Sequence, residues 1–166
     1  EIKKEAEKNN NIVIITNDME VFALKDFKEK FPDRYIDVGV AEQNMINIAA
    51  GIATTGKTVV IFGILPFLIY RCFEQIKMNI CSMNLPVIIA GIGTGLSFSY
   101  DGPTHHGTSD ISSARSIPEL NILSPSDPST AVMAAKLALK LKKPVYCRID
   151  KGNYINYTHK LNKFTK

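Results

Sequence analysis

Three groups of residues have the types and spacing for chemistry. The first is Asp37-Val38-Gly39-Val40-Ala41-Glu42-Gln43-Asn44-Met45, where Glu42 follows a short β-branched stretch and falls in the first turn of a helical period. A carboxylate there is favoured by the helix dipole by about 0.3–1 kcal/mol, so a simple dipole role is one reading. The flanks are apolar and no Ser or Thr caps the turn, which implies partial burial. A buried carboxylate is a candidate for proton chemistry. The second group is Tyr100-Asp101-Gly102-Pro103-Thr104-His105-His106-Gly107, a Gly-Pro turn with titratable groups on both sides. Asp101 suits binding of hydroxyls, and His105 suits proton shuttling or an oxyanion. The plain alternative is a polar turn in which Asp bonds its own backbone. The third is Arg148, near the carboxyl end of an apolar run, where a bidentate fork suits phosphate or carboxylate and a surface ion pair is the alternative. Adjacent histidines diverge and have no third ligand, so no metal site is expected here. Gly91-Ile92-Gly93-Thr94-Gly95 lacks the third glycine at the right offset and the following helix of a dinucleotide loop.

The elements that must position these residues alternate. Ile12–Ile15, Tyr35–Val38, Thr58–Phe62, Pro86–Ala90, Asn121–Ser124 and Val145–Ile149 read as short strands. Between them, Val21–Lys30, Ala41–Thr55, Pro66 to about Met83, and Ser126 or Asp127 to about Lys140 have helical spacing, with Gly56 as a helix stop. Gly91 to about Thr108 reads as one long loop, and the final residues look frayed. Alternating strands and helices predict an α/β fold: a three-layer, doubly wound, mostly parallel sheet with helices on both faces. Ligand residues then belong beyond the carboxyl ends of the strands, and the three polar groups above fall there.

Composition bounds the rest. The 166 residues suit one domain with a core over about 10–150; 45% are hydrophobic and 22% charged, an ordinary globular balance. The net charge of +4 is scattered, without a basic patch interleaved with aromatics, which argues against nucleic acid. No apolar run approaches the ~20 residues of a membrane span. Cys72, Cys81 and Cys147 have no CxxC spacing and sit in apolar contexts, as expected of core residues in a reducing, cytoplasmic setting. The start, Glu1-Ile2-Lys3-Lys4-Glu5, reads as charged helix and not as a secretory leader.

Taken in order, Asp37-Val38-Gly39-Val40-Ala41-Glu42-Gln43, Phe73-Glu74-Gln75-Ile76, Asp101-Gly102-Pro103-Thr104-His105, Ile117-Pro118 and Ser124-Pro125-Ser126-Asp127 resemble the pyrimidine-binding domain of transketolases and of 1-deoxy-xylulose-5-phosphate synthases. The resemblance spans roughly residues 10–150 and implies a thiamine-diphosphate-binding fold. It puts Glu42 in the place of the glutamate that bonds the pyrimidine ring nitrogen. Protonation there favours the imino tautomer, which takes the C2 proton of the thiazolium and yields the ylid. It gives Gln43, Phe67, Leu68 and Arg71 cofactor-binding places, His105 a catalytic and substrate-binding one, and Asp101 and Arg148 substrate-binding ones.

The sequence also departs from that family. An ungapped count places Leu68 where an aromatic stacks on the pyrimidine and Leu65 at a second aromatic place, with Phe67 one residue away. Either a local shift brings Phe67 onto the ring or aliphatic packing replaces stacking. The Gly-Asp-Gly and Asn ligands for Mg²⁺ that a pyrophosphate-binding domain supplies are not in this sequence, nor is a carboxyl-terminal domain. The resemblance therefore implies a fragment or a split subunit that needs a pyrophosphate-binding domain or subunit, in a homodimer or heterotetramer, with thiamine diphosphate held between them. The implied reaction is transfer of a ketol unit between sugar phosphates. A deoxyxylulose-phosphate synthase, the beta chain of a 2-oxoacid dehydrogenase, and a non-catalytic assembly domain are the alternatives.

Overall fold

The computed structural model describes residues 1–19, 22–152, 154 and 155. In chain order its elements are α1 (Ile2–Lys8), β1 (Ile12–Thr16), α2 (Phe22–Lys30), β2 (Tyr35–Asp37), α3 (Glu42–Thr54), β3 (Thr58–Ile64), α4 (Leu65–Ile69), α5 (Phe73–Gln75), β4 (Val87–Ile92), α6 (Asp110–Arg115), β5 (Asn121–Leu123), α7 (Pro128–Leu141) and β6 (Val145–Ile149). Val21, expected to open α2, and the residues from 156 onward, expected to be frayed, lie outside the described residues.

The six strands form one sheet in the order β2-β1-β3-β4-β6-β5, and every pairing is parallel. Such strands are covered on both faces and read as near-continuous apolar runs. Their side chains still alternate between faces with period two. Val13, Ile15, Val59, Ile61, Val87, Ile89 and Tyr146 belong to one core, with Met45 and Ala49 of α3, Leu65 and Leu68 of α4, and Ala114 of α6. Ile12, Ile14, Val60, Ile88 and Val145 belong to the other, with Ala6 of α1, Phe27 of α2 and Ala138 of α7. The three-layer expectation is met. Among the described residues, no helix is long and apolar enough to cross a membrane.

Two expectations are corrected. The single helix predicted from Pro66 to Met83 is broken: α4 ends at Ile69, α5 begins at Phe73, and a π-helical stretch, Ile76–Cys81, follows. The wider turns, seen in Ser82 N–H donating to Lys77 O at 3.0 Å and Leu85 N–H to Ile80 O at 3.0 Å, bring Ile76, Ile80 and Cys81 together into the core. The interruption at 70–72 is where Arg71 leaves the helical path. The long loop is also more ordered than expected. It holds two 3₁₀ turns, Ser99–Asp101 and Pro103–His105, and is followed by α6, which the sequence pattern does not announce. Its neck is closed by Gly95 and Gly107, whose N–H groups donate to each other's carbonyls at 2.9 and 2.8 Å. A Cβ on Gly107 would stand 2.8 Å from Gly93 O and 2.9 Å from Leu65 Cδ2, so the closure requires glycine.

Asp127 caps α7 as expected. Its carboxylate accepts from Thr130 N–H at 2.7 Å, and Thr130 Oγ1 accepts in return from Asp127 N–H at 3.0 Å. Asp127→Ala is expected to cost about 1 kcal/mol of stability, measured by urea unfolding.

The three cysteines are free and buried. Burial, reinforced for Cys72 by the charge of Glu42 and for Cys81 by that of Glu119, pushes the Cys72 and Cys81 thiols up to about 12; burial alone pushes Cys147 up to about 11. The unfolded chain releases these protons near ~8.5, so above that pH it binds fewer protons than the folded chain. The thiol contribution to stability is therefore complete below ~8.5 and is lost as pH rises through the folded values. Unfolding midpoints should fall between about pH 9 and 11, and Cys81→Ala should show a shallower fall relative to its own value at neutral pH.

Candidate active site

The strand order decides where a site can form. β1 and β3 lie side by side, while β2, which intervenes in the chain, sits outside β1. The connections leaving β1 and β3 therefore run in opposite directions and leave a crevice beyond their carboxyl ends. Thr16 pairs with Phe62 at that end, so Asn17 and Gly63 come next on the two strands. The segment from β2 to α3 enters the crevice beside them. Val38 N–H donates to Thr16 O at 3.0 Å, Gly39 turns with φ +69°, and α3 begins at Glu42 without a side-chain cap.

Glu42 is 4% exposed. Its Oε1 accepts from Asn17 Nδ2 at 3.1 Å, and its Oε2 accepts from Arg71 Nη1 at 2.8 Å. The partners differ in exposure. The Asn17 side chain is buried with Glu42, whereas the Arg71 side chain is 46% exposed. Arg71 is steered by two further contacts. Gln43 Nε2 donates to Arg71 O at 3.2 Å, and the Arg71 guanidinium lies 4.4 Å from the centroid of the Phe67 ring. Phe67 in turn meets His105 edge-on, with ring centroids 4.9 Å apart at 72°. His105 Nδ1 lies 3.0 Å from Thr104 Oγ1.

The structure thus brings Glu42, Gln43, Arg71, Phe67 and His105 into one chain of contacts, although they come from α3, α4, the break after α4 and the long loop. Leu68 is fully buried beneath it, against the bare face of Gly63. Asp101 ends the first 3₁₀ turn of the loop with an exposed side chain.

Arg148 belongs to a second network. Its Nε and Nη2 both donate to Asp110, the Nη2 contact at 3.1 Å to Oδ1, and its Nη1 donates to Ser124 Oγ at 3.1 Å. Tyr146 Oη donates to Asp110 Oδ2 at 2.7 Å, and burial followed by that bond pushes the Tyr146 hydroxyl well above the ordinary phenol range. The ion pair is therefore real, yet it is not a loose surface one: Asp110 is 1% exposed and the Arg148 side chain 16%. Arg148 also lines a cavity of ≈ 260 Å³ with Thr94, Ser124, Ser126, Asp127 and Asp150.

Sequence reasoning missed Asn17, Asp110 and Tyr146. Asn17 carried a usable signal, a lone amide directly after five buried strand residues at a ligand-side strand end. Asp110 and Tyr146 carried none, because their pairing spans 36 residues and depends on α6.

Comparison with known proteins agrees with this geometry. The family model for "Transketolase, pyrimidine binding domain" matches residues 1–156. A 1-deoxy-D-xylulose-5-phosphate synthase of Syntrophus aciditrophicus is 38% identical over 158 residues, which is 95% of this chain and 24% of the relative. One subunit of an apulose-4-phosphate transketolase of Actinobacillus succinogenes is 34% identical over 139 residues, 84% of this chain and 45% of the relative. Among solved structures, a split-gene transketolase described as an inactive beta4 tetramer superposes with a TM-score of 0.86 at 27% identity, over 99% of this chain and 52% of that one. The chain thus spans about a quarter to a half of these relatives. With the all-parallel sheet, the switch-point crevice and a buried glutamate at the start of α3, this chain belongs to the transketolase pyrimidine-binding domain family.

Proposed function

We propose that this domain holds the aminopyrimidine half of thiamine diphosphate in a transketolase-like enzyme, with Glu42 bonding the pyrimidine ring nitrogen. The observation that carries the reading is the asymmetry at Glu42: one oxygen is held from within by buried Asn17, and the other is bonded, among the described residues, to the half-exposed Arg71. The site fits the cofactor. A carboxylate waits at the switch-point crevice, and an aromatic ring stands beside it. Arg71 touches both Glu42 Oε2 and the face of Phe67, so one side-chain movement uncovers both. Phe67, not the fully buried Leu68, then presents an aromatic surface to a heterocycle. When bound, thiamine diphosphate supplies the electron sink for breaking a bond next to a carbonyl. Glu42 holds a proton or a lone-pair partner at the ring nitrogen, Gln43 keeps the Arg71 backbone in place, and His105 stands ready to bond a substrate carbonyl or hydroxyl, with Asp101 on the same loop.

The diphosphate and Mg²⁺ are assigned to a pyrophosphate-binding domain or subunit, joined to this one in a homodimer or heterotetramer. The relative named as a single transketolase subunit and the split-gene structure support such a partner. The three free, buried cysteines suit a cytoplasmic enzyme. The favoured reaction is transfer of a ketol unit between sugar phosphates. A 1-deoxy-xylulose-5-phosphate synthase is the second reading, favoured by relatives of that name at 38% identity. Supplying the partnered enzyme with pyruvate plus glyceraldehyde 3-phosphate, or with a ketose phosphate donor, distinguishes them by product.

Two substitutions test the residue roles. In the enzyme reconstituted with its pyrophosphate-binding part, Glu42→Gln should slow C2-proton exchange of the bound cofactor by ~100-fold or more, the scale of positioned acid–base groups. An unchanged exchange rate would remove Glu42 from the mechanism. For Arg148, the proposed phosphate contact is the Nη1 edge now resting on Ser124. Arg148→Ala would leave Asp110 buried without its ion-pair partner, so Arg148→Lys is the cleaner change, because it keeps the charge and loses the fork. It should raise KM for a phosphorylated substrate by about tenfold with little change for the unphosphorylated sugar.

A further inference from the structure

Asn17 carries a feature that packing does not explain. Its side chain is buried, with the residue 6% exposed, and its Nδ2 donates to Glu42 Oε1 at 3.1 Å, while its Oδ1 has no hydrogen-bond partner among the described residues. A buried carbonyl oxygen without a donor is costly and asks for an explanation. The fold makes room for it. A Cβ on Gly63, the neighbouring residue across the sheet, would stand 2.8 Å from that oxygen. An aliphatic residue of similar size would fill the same space without an orphaned acceptor. The amide is therefore retained for its N–H. Turned over, it would set Oδ1 against Glu42 Oε1; only the observed orientation places a donor against that oxygen.

We infer that Asn17 is a positioning residue for Glu42. It fixes Oε1 from inside the crevice, so that Oε2 is the oxygen that turns to the ligand when Arg71 moves away. Oε1 faces a buried partner and Oε2 a half-exposed one, and Asn17 sets that difference. The cost of the orphaned Oδ1 is borne to maintain it. The inference rests on the proposed role of Glu42 and adds to it the residue that decides which oxygen acts.

The test is a double-mutant cycle in the enzyme reconstituted with its pyrophosphate-binding part and saturated with thiamine diphosphate, read by C2-proton exchange. Asn17→Ala should slow exchange by about tenfold, the scale of one hydrogen bond to a charged group, while the affinity for the cofactor changes much less. In the Glu42→Gln background the same substitution should add no further slowing, because the two residues act as a unit. A purely structural Asn17 would slow both backgrounds alike, and that outcome overturns the inference. So does an unchanged rate for Asn17→Ala when Glu42→Gln alone is slow, which leaves the role of Glu42 standing. An unchanged rate for Glu42→Gln sinks both. If Asn17→Ala does not fold, Asn17→Leu, which fills the volume without an N–H, takes its place with the same expected slowing.

Discussion

A carboxylate taken out of water must meet donors on both oxygens or neutralise, since an isolated buried charge is among the costliest features a fold can contain. Glu42 imposes that constraint here, and much of the local architecture answers it. β1 ends where Asn17 reaches Oε1. The helical run after β3 breaks where Arg71 reaches Oε2. Gln43 holds the Arg71 backbone, and Gly63 gives up a side chain so that Asn17 fits. A dipole-favoured surface glutamate, the plainer reading of the sequence, would have required none of these.

The same device occurs twice with opposite character. Glu42 and Asp110 are each the first residue of a helix, each is almost fully buried, and each is bonded to an arginine. The Arg148 fork grips Asp110 through two nitrogens and is largely covered, and Tyr146 completes the set. That arrangement is scaffolding which orients one remaining edge of the guanidinium. Arg71 offers Glu42 one nitrogen and is nearly half exposed. Such a pair can open when a ligand donor takes the place of Arg71 on Oε2, because the half-exposed arginine recovers hydration as it leaves while the buried carboxylate keeps a partner. Under the proposed function, chemistry falls to the loosely covered carboxylate and orientation to the tightly covered one.

The layers and strand assignments were legible because parallel strands covered on both faces write themselves as β-branched runs, here Ile12–Thr16 and Val87–Ile92. Glu42, Arg71 and His105 were legible only as an ordered set, since each alone has a bland reading. What escaped was non-local or irregular. The break at 70–72 accompanies the Arg71–Glu42 bond and the π-helical turns accompany burial of Ile76, Ile80 and Cys81, and no periodicity encodes either. Which of Phe67 and Leu68 the core absorbs was not legible either: Leu68 packs against Gly63, and Phe67 lies beside Arg71 and His105. Asp110 escaped because its partners, Tyr146 and Arg148, lie on the last strand.

The paired glycines at the neck of the long loop reach beyond the site. Gly95 and Gly107 exchange two hydrogen bonds, so the eleven residues between them hang from a fixed clasp on the end of β4. The clasp sits between the end of β4 and the start of α6, with its buried Asp110, so both flanks of the loop are joined independently of the residues between them. Under the proposed function the loop carries Asp101 and His105, so the two glycines mark where a loop graft between members of this family would change the residues facing the substrate and keep Glu42 in place.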